Sequence, residues 1–438
     1  MKKTMNTNKT HEVTVNVTPS GRREPRRGDR RRATPARSLP SVGEGGRDSA
    51  ARVFLRQGRS RPLWFGHPWV YENAIDRVEG EAGPGDVVSL TDHDGRLIGR
   101  GFYNPRSQIP VRLCTRADAP VDAAFFRARV AAARALRTRL GLPAAATTIY
   151  RLVNSEGDDL PGLVVDVFGD AAVAQITTLG IAQRKAEIYD AIEAELGVHT
   201  IFETAPAGYA ELEGFVAASR VARGQSRPTI GGVEDGIRLE VEPLSGQKTG
   251  MFIDQRETRM RVGQLARGAR VLDCYAYAGG FGLQAARGGA ASVVAVDSSA
   301  RAIARIESHA AANGVAIDAV EADAFRFLET TTPRSFDLLV LDPPKFARAM
   351  KDVEAARKGY ERLNALALGA AAPGAVLVTC SCSQNVDAES FERIVAAAAK
   401  QAGRRVRVFE RRGPAADHPL PPGFTEGQYL KVLLCYVA

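Results

Sequence analysis

The chain has 438 residues, 45% of them hydrophobic and 25% charged, which suits about two to four domains with real cores. Its formal charge of +9 is lopsided: residues 1–50 carry 12 Lys/Arg against 5 Asp/Glu, which leaves only +2 for the rest. No run approaches the roughly 18 apolar residues of a membrane span. Five cysteines and six scattered histidines, without metal-type spacing, exclude a disulfide framework and offer no zinc site, so a cytoplasmic, metal-free protein is expected.

Residues 1–50 include Arg22-Arg23-Glu24-Pro25-Arg26-Arg27-Gly28-Asp29-Arg30-Arg31-Arg32 and read as a disordered basic tail. It is either a nonspecific phosphate-attracting arm or a dispensable extension. From about 52 to 114, strand-like runs at 53–55, 86–90, 97–102 and 110–113 are separated by turn signals, as in a small β-barrel or sandwich. The aromatics of Gly66-His67-Pro68-Trp69-Val70-Tyr71 are either a core staple or a surface on which RNA bases stack. A helix follows over 122–140, with Phe126, Val130, Ala133 and Leu140 on one face. Arg127, Arg134 and Arg137 are expected on the other, as a solvated or phosphate-contacting side. Strands at 150–153, 163–167, 172–177 and 200–203 and a helix at 182–196 make a mixed α+β unit ending near Ile230.

The final two hundred or so residues alternate strand and helix. Strands are expected at 270–274, 292–297, 316–320, 336–341, 375–379, 406–410 and 429–436, with helices clearest at 301–313 and 353–371. Such alternation implies a parallel sheet covered by helices on both faces. The last two strands, joined only by a loop, should pair as an antiparallel hairpin, the topology of class I S-adenosylmethionine methyltransferases.

The first of these strands runs into Asp273-Cys274-Tyr275-Ala276-Tyr277-Ala278-Gly279-Gly280-Phe281-Gly282. Gly280, Gly282 and Ala285 also satisfy the dinucleotide fingerprint, and Asp297 could bind a ribose, so an NAD-dependent dehydrogenase stays open. Asp273, ahead of the loop, favours a methionine ammonium over a pyrophosphate. Asp323 is positioned for an adenine amino group, although each carboxylate alone also reads as a helix cap. The fourth strand ends in Asp342-Pro343-Pro344-Lys345-Phe346, a carboxylate on a stiff loop at the edge where open α/β sheets bind ligands. Past the fifth lies Cys382, whose thiolate could add to C6 of a pyrimidine and make C5 nucleophilic, with Cys380 as the structural alternative.

Gln247-Lys248-Thr249-Gly250-Met251-Phe252-Ile253-Asp254-Gln255-Arg256, the loop 277–281, Asp342 to Phe346, Ser381-Cys382-Ser383 and the closing run 422–431 occur in one order. As a set they resemble the bacterial large-subunit ribosomal RNA cytosine-C5 methyltransferases, the RlmI family. The resemblance implies an α/β protein divided into a tail (1–50), a PUA-like RNA-binding domain (51–118), an α+β middle domain (119–232) and a Rossmann-like methyltransferase domain (233–438). It implies Cys382 as nucleophile, Asp342 beside the target cytosine, and Lys345 and Phe346 against the substrate. Phe252, Asp254, Arg256, Asp273, Tyr275, Gly279, Asp297 and Asp323 would surround S-adenosylmethionine. Lys345 stands where related enzymes carry a second cysteine, so the group that removes the C5 proton stays open: Asp342 is a candidate base, though it would equally suit binding of the cytosine amino group. The implied partner is ribosomal RNA, with no membrane or metal; a homodimer is an open option. Methylation of a guanine or adenine nitrogen on the same fold, and a non-catalytic RNA-binding assembly factor, remain as alternatives.

Overall fold

The computed structural model describes residues 46–245, 249–346 and 352–438. The basic run 22–32, and Gln247 and Lys248 of the first motif, lie outside the described residues.

Six strands form the first sheet: β1 (Asp48–Leu55), β2 (Trp69–Val70), β3 (Ile75–Glu79), β4 (Val87–Thr91), β5 (Leu97–Tyr103) and β6 (Val111–Thr115), in the order β2-β6-β5-β4-β1-β3. One helical turn, α1 (Arg61–Trp64), follows β1. Alternate residues Val53, Leu55, Val88, Leu90, Val111 and Leu113 turn inward to a common core, as a half-buried sheet requires. The strands cross closely at Gly101, where a Cβ would lie 2.1 Å from the Arg112 carbonyl oxygen.

The next unit begins with α2 (Ala123–Arg139), capped by Asp122, whose side chain accepts from Phe125 N. Its buried stripe is Phe126, Val130, Ala133 and Arg137, while Leu140 is 40% exposed. The expected faces are corrected here. Arg137 continues the i, i+4, i+7, i+11 stripe and is admitted to the core because Asp158 and two carbonyls neutralise and satisfy it. Strands β7 (Ile149–Asn154), β8 (Leu163–Phe168), β9 (Ala171–Ile176), β10 (Thr200–Ala205) and β11 (Ala218–Arg223) make a sheet in the order β11-β10-β9-β8-β7. The single helix expected over 182–196 is two, α3 (Leu179–Ala182) and α4 (Lys185–Leu196). Between them, the Arg184 guanidinium donates to the carbonyls of Gly46 and Gly85 and ties this unit to the first sheet. A seven-residue helix, α5 (Ala207–Glu213), lies between β10 and β11.

A hairpin absent from the sequence reading follows: β12 (Ile230–Glu234) and β13 (Ile237–Val241), turned by Asp235 and Gly236 at φ +46° and +79°. Thr148 N donates to the Val233 carbonyl, and Arg238 N donates to Asn313, so the hairpin joins the middle sheet to the domain beyond. The division at 232/233 runs through β12.

The last sheet has seven strands in the order β16-β15-β14-β17-β18-β20-β19, parallel except for β20. Its strands are β14 (Arg270–Cys274), β15 (Ser292–Asp297), β16 (Asp318–Glu321), β17 (Phe336–Leu341), β18 (Ala371–Ser381), β19 (Val406–Arg412) and β20 (Lys431–Val437). Helices α6 (Arg256–Leu265) and α7 (Gly280–Arg287) cover one face through Val262, Phe281 and Ala285. Helices α9 (Ala324–Thr330), α10 (Val353–Ala370) and α11 (Ala388–Gln401) cover the other through Leu328, Leu363, Leu368 and Phe391. Helix α8 (Ala300–Asn313) links β15 to β16. The terminal hairpin β19–β20 is antiparallel, as expected. No described helix is long and apolar enough to cross a membrane.

Candidate active site

The loops after β14, β15, β16 and β17 meet at the C-terminal edge of the parallel strands, which register brings level: Cys274 pairs with Val296 and with Leu341. Asp273 is fully buried beneath them. Its Oδ2 accepts from Gly282 N at 2.9 Å, while its Oδ1 has no hydrogen-bond partner among the described residues. Burial first, then the nearby charges of Asp342 and Asp297, push this carboxyl up to about 7. The chain turns over it with Tyr275, Tyr277 and Gly279 all at positive φ (+63°, +53° and +79°). At Gly279 a Cβ would lie 3.1 Å from Ile306 Cγ1, so the glycine serves both the turn and the close packing.

Asp297 accepts from Tyr277 N and Ser299 N, each at 3.0 Å. The Tyr277 ring meets Phe252 edge-to-face at 5.3 Å, and its hydroxyl donates to the Gly250 carbonyl. Half-buried Tyr275 lies within electrostatic reach of Asp297 and Asp323, and burial raises its phenol. Asp323 is exposed and caps α9, Oδ1 accepting from Arg326 N at 3.0 Å. Asp273, Tyr275, Gly279, Asp297 and Phe252 thus gather around one turn, with Asp323 at its margin. Two expected residues turn elsewhere. Asp254 accepts from the Tyr429 hydroxyl at 2.5 Å, and buried Arg256 donates to Asp417 at 2.5 Å.

Carboxylates after three successive strands, one with an orphaned buried oxygen, suit a ligand that brings a cation, ribose hydroxyls and an amino group. That is the donor set of S-adenosylmethionine. A pyrophosphate would face Asp273, Asp297 and Asp342 together, which is electrostatically unfavourable. Arg259, which the sequence reading passed over, is neutralised by a buried pair with Glu234 (both N···O contacts 2.6 Å) and donates to the Phe252 carbonyl.

Across the edge, half-buried Asp342 directly follows β17, and Pro343 behind it is buried. The Cys382 Sγ lies 4.0 Å from the Pro343 carbonyl oxygen. Cys114, Cys274, Cys380 and Cys435 are buried, and only Cys382 is partly exposed. Burial holds the Cys380 thiol well above its ordinary value, which leaves it inert. The Cys382 loop is held by the buried Tyr360 hydroxyl, which lies 3.1 Å from Ser383 Oγ and accepts from Ser381 Oγ at 3.2 Å. Phe346, expected against the substrate, packs half-buried on Tyr360 (4.6 Å) and Phe325 (6.3 Å), so it braces the loop from within; Lys345 is exposed. Lys431 was read only as part of a motif, yet its Nζ donates to the carbonyls of Ser383 and Tyr429. The signal available was a charge opening the apolar run Val432-Leu433-Leu434-Cys435.

The aromatics near the first turn are a staple rather than an open stacking face. Trp69 and His67 pack edge-on against Phe424 at 4.7 and 5.6 Å. His67 and Tyr71 also bond Glu426, whose carbonyl accepts from Gln384 beside the Cys382 loop.

Residues 53–116 match a family model described as a PUA-like domain, and residues 215–418 match one described as an S-adenosylmethionine-dependent methyltransferase. The chain is 37% identical over 393 residues to the ribosomal RNA large subunit methyltransferase I of Photobacterium profundum, covering 88% of this chain and 99% of that protein. To the protein of the same name from Shewanella denitrificans it is 37% identical over 397 residues, covering 89% and 100%. Among solved structures, a candidate S-adenosylmethionine-dependent methyltransferase from Streptococcus mutans shares the fold, with a TM-score of 0.75 at 20% identity over 88% of this chain and 99% of its own. A candidate methyltransferase complexed with S-adenosylhomocysteine gives a TM-score of 0.76 at 21% identity over the same shares.

Proposed function

The chain belongs to the ribosomal RNA large subunit methyltransferase I family and is an S-adenosylmethionine-dependent methyltransferase; from that premise we propose that it methylates C5 of a cytosine in large-subunit ribosomal RNA through a covalent bond from Cys382 to C6. The observation that carries this reading is the partly exposed Cys382 thiol, set against the loop that bears Asp342. A purine nitrogen is already nucleophilic and needs no thiol beside it, whereas a cytosine C5 does.

In this reading Asp273 attracts the ammonium of the cofactor, Asp297 binds its ribose hydroxyls, and Asp323 accepts from its adenine amino group. Phe252, Tyr275 and Gly279 shape the turn around it, while Asp254 and Arg256 fix the wall behind. When bound, S-adenosylmethionine supplies a methyl group activated by a sulfonium charge. The flipped cytosine lies between Asp342 and Cys382. Asp342 accepts from its amino group, Phe346 braces the loop, and Lys345 meets a flanking phosphate. Cys382 adds to C6, the electron pair gathered at C5 takes the methyl group, and Asp342, the candidate base, takes the C5 proton as the C5–H electrons re-form the C5–C6 double bond and the C6–S bond breaks to release the thiolate. The PUA-like domain grips the folded RNA through phosphates and shape.

Cys382→Ala should bind S-adenosylhomocysteine normally and form no 5-methylcytidine, read by nucleoside mass spectrometry of ribosomal RNA after incubation. Undiminished 5-methylcytidine from that variant would overturn the adduct, and a methylated purine in its place would overturn the cytosine target.

A further inference from the structure

Lys431 opens β20 directly behind the Cys382 loop and is only 9% exposed. A buried cation in an otherwise apolar strand is costly unless its surroundings use the charge. Its Nζ donates to the Ser383 carbonyl at 2.6 Å and the Tyr429 carbonyl at 2.8 Å. Antiparallel register sets Lys431 opposite Ser381. The backbone pairing and the Ser383 hydrogen bond therefore bracket Cys382 from its two neighbours.

Resting on the cysteine reading above, we propose that Lys431 is the positioning residue that takes the proton of the Cys382 thiol and holds the resulting thiolate as an ion pair. A neutral amine has two N–H bonds and one lone pair. The two carbonyls accept both hydrogens, which leaves the lone pair to receive the thiol proton. The S–H bond breaks, an N–H bond forms, and the ammonium then serves the two carbonyls and the thiolate. The sulfur electron pair makes the bond to C6 and returns to sulfur on elimination, so the ion pair is restored without any further reactant. Burial pulls Lys431 down to about 8, opposed by Cys382 and Asp387 and reinforced by Lys345. An amine lowered this far is partly neutral near pH 8 and so has a lone pair to offer. Tyr360 and Cys380 also face Cys382, with Asp342 facing both of these.

The test is the pH dependence of Cys382 alkylation by iodoacetamide in the full-length protein, read by mass spectrometry of the Cys382 peptide. The wild-type midpoint should lie below the free-thiol value of about 8.5. In Lys431→Met it should rise by about one unit, which slows alkylation at pH 7 about tenfold. Lys431→Arg, which keeps the cation, should hold the low midpoint. A merely structural lysine predicts no shift: an unchanged midpoint in a Lys431→Met protein that still binds S-adenosylhomocysteine overturns the proposal. Where that variant does not fold, the wild-type profile decides, and a midpoint at or above about 8.5 overturns it equally. Failure of the cytosine reading looks different. It appears as methylation surviving Cys382→Ala and leaves the alkylation midpoint untouched.

Discussion

Asp273 combines full burial with an oxygen that no described residue satisfies, and that burial, reinforced by the neighbouring charge of Asp342, pushes its carboxyl up to about 7. Its folded value lies above the ordinary 3.8. The folded state therefore binds the extra proton, and this contribution to stability is complete below about 3.8 and is lost progressively as pH rises through about 7. A cofactor ammonium reverses the preference, because it interacts favourably only with the ionised carboxylate. S-adenosylhomocysteine, which keeps the ammonium, should bind more weakly as pH falls below about 7, approaching tenfold per unit. Calorimetry at pH 6 and pH 8 measures this directly. Asp273→Asn should flatten the slope and weaken binding at pH 8; a slope that survives the substitution would assign the titration to another group.

At the scale of elements, α2 shows how a charged residue can be a core residue. Arg137 is held in a two-pronged pair by Asp158, at 2.5 and 2.9 Å, and by the carbonyls of Arg151 and Asp417. Asp158→Ala leaves that guanidinium buried without its counter-charge and should cost about 3–5 kcal/mol in urea unfolding. Arg134→Ala on the exposed side should cost less than about 1 kcal/mol. The sequence carried the helix but not this choice of face, because periodicity assigns arginine to solvent unless its partner is known. Strands β14, β15 and β17 were legible to the residue, since a sheet covered on both faces writes continuous apolar runs. The hairpin β12–β13 was missed although Asp235-Gly236 is a strong two-residue turn signal, because the flanking Gly231 and Gly232 dilute the alternation. In the site, Asp297, Asp342 and Cys382 announced themselves by standing at strand ends. Tyr360, Arg259 and Lys431 come from helices and strand starts far along the chain, and only the folded sheet brings them in. Phe346 packs on Tyr360 and Phe325, a choice the sequence left undecided, because an aromatic after a proline pair reads equally well as a base platform or as a plug.

Across the whole molecule, the segment between β19 and β20 binds the units together. Asp417 accepts from Arg151 N and Arg256, and His418 bonds it as well. Burial alone would raise this carboxyl, but His418 and Arg256 win and hold it well below the usual carboxylate range. The stability from this knot is therefore present above the ordinary carboxylate value and is lost only in strongly acidic solution. A few residues on, Phe424 carries the aromatic staple to His67 and Trp69. Phe424→Ala should cost about 3 kcal/mol of stability. Because Glu426 also holds Gln384 beside Cys382, the variant should lose methylation more than S-adenosylhomocysteine affinity. Equal losses in both would show that the staple acts on the fold alone.

The position of β20 in the sheet has a consequence for how the enzyme comes into being. It lies between β18 and β19 and follows both in the chain, so β19 has no neighbour to pair with until β20 has been made. Lys431 and the segment that clasps the earlier units arrive at the same late moment. A nascent chain can therefore fold its first two sheets and still lack a completed reaction centre. The sheet edge that carries Asp342 and Cys382 is thus complete only once the last strand has joined it.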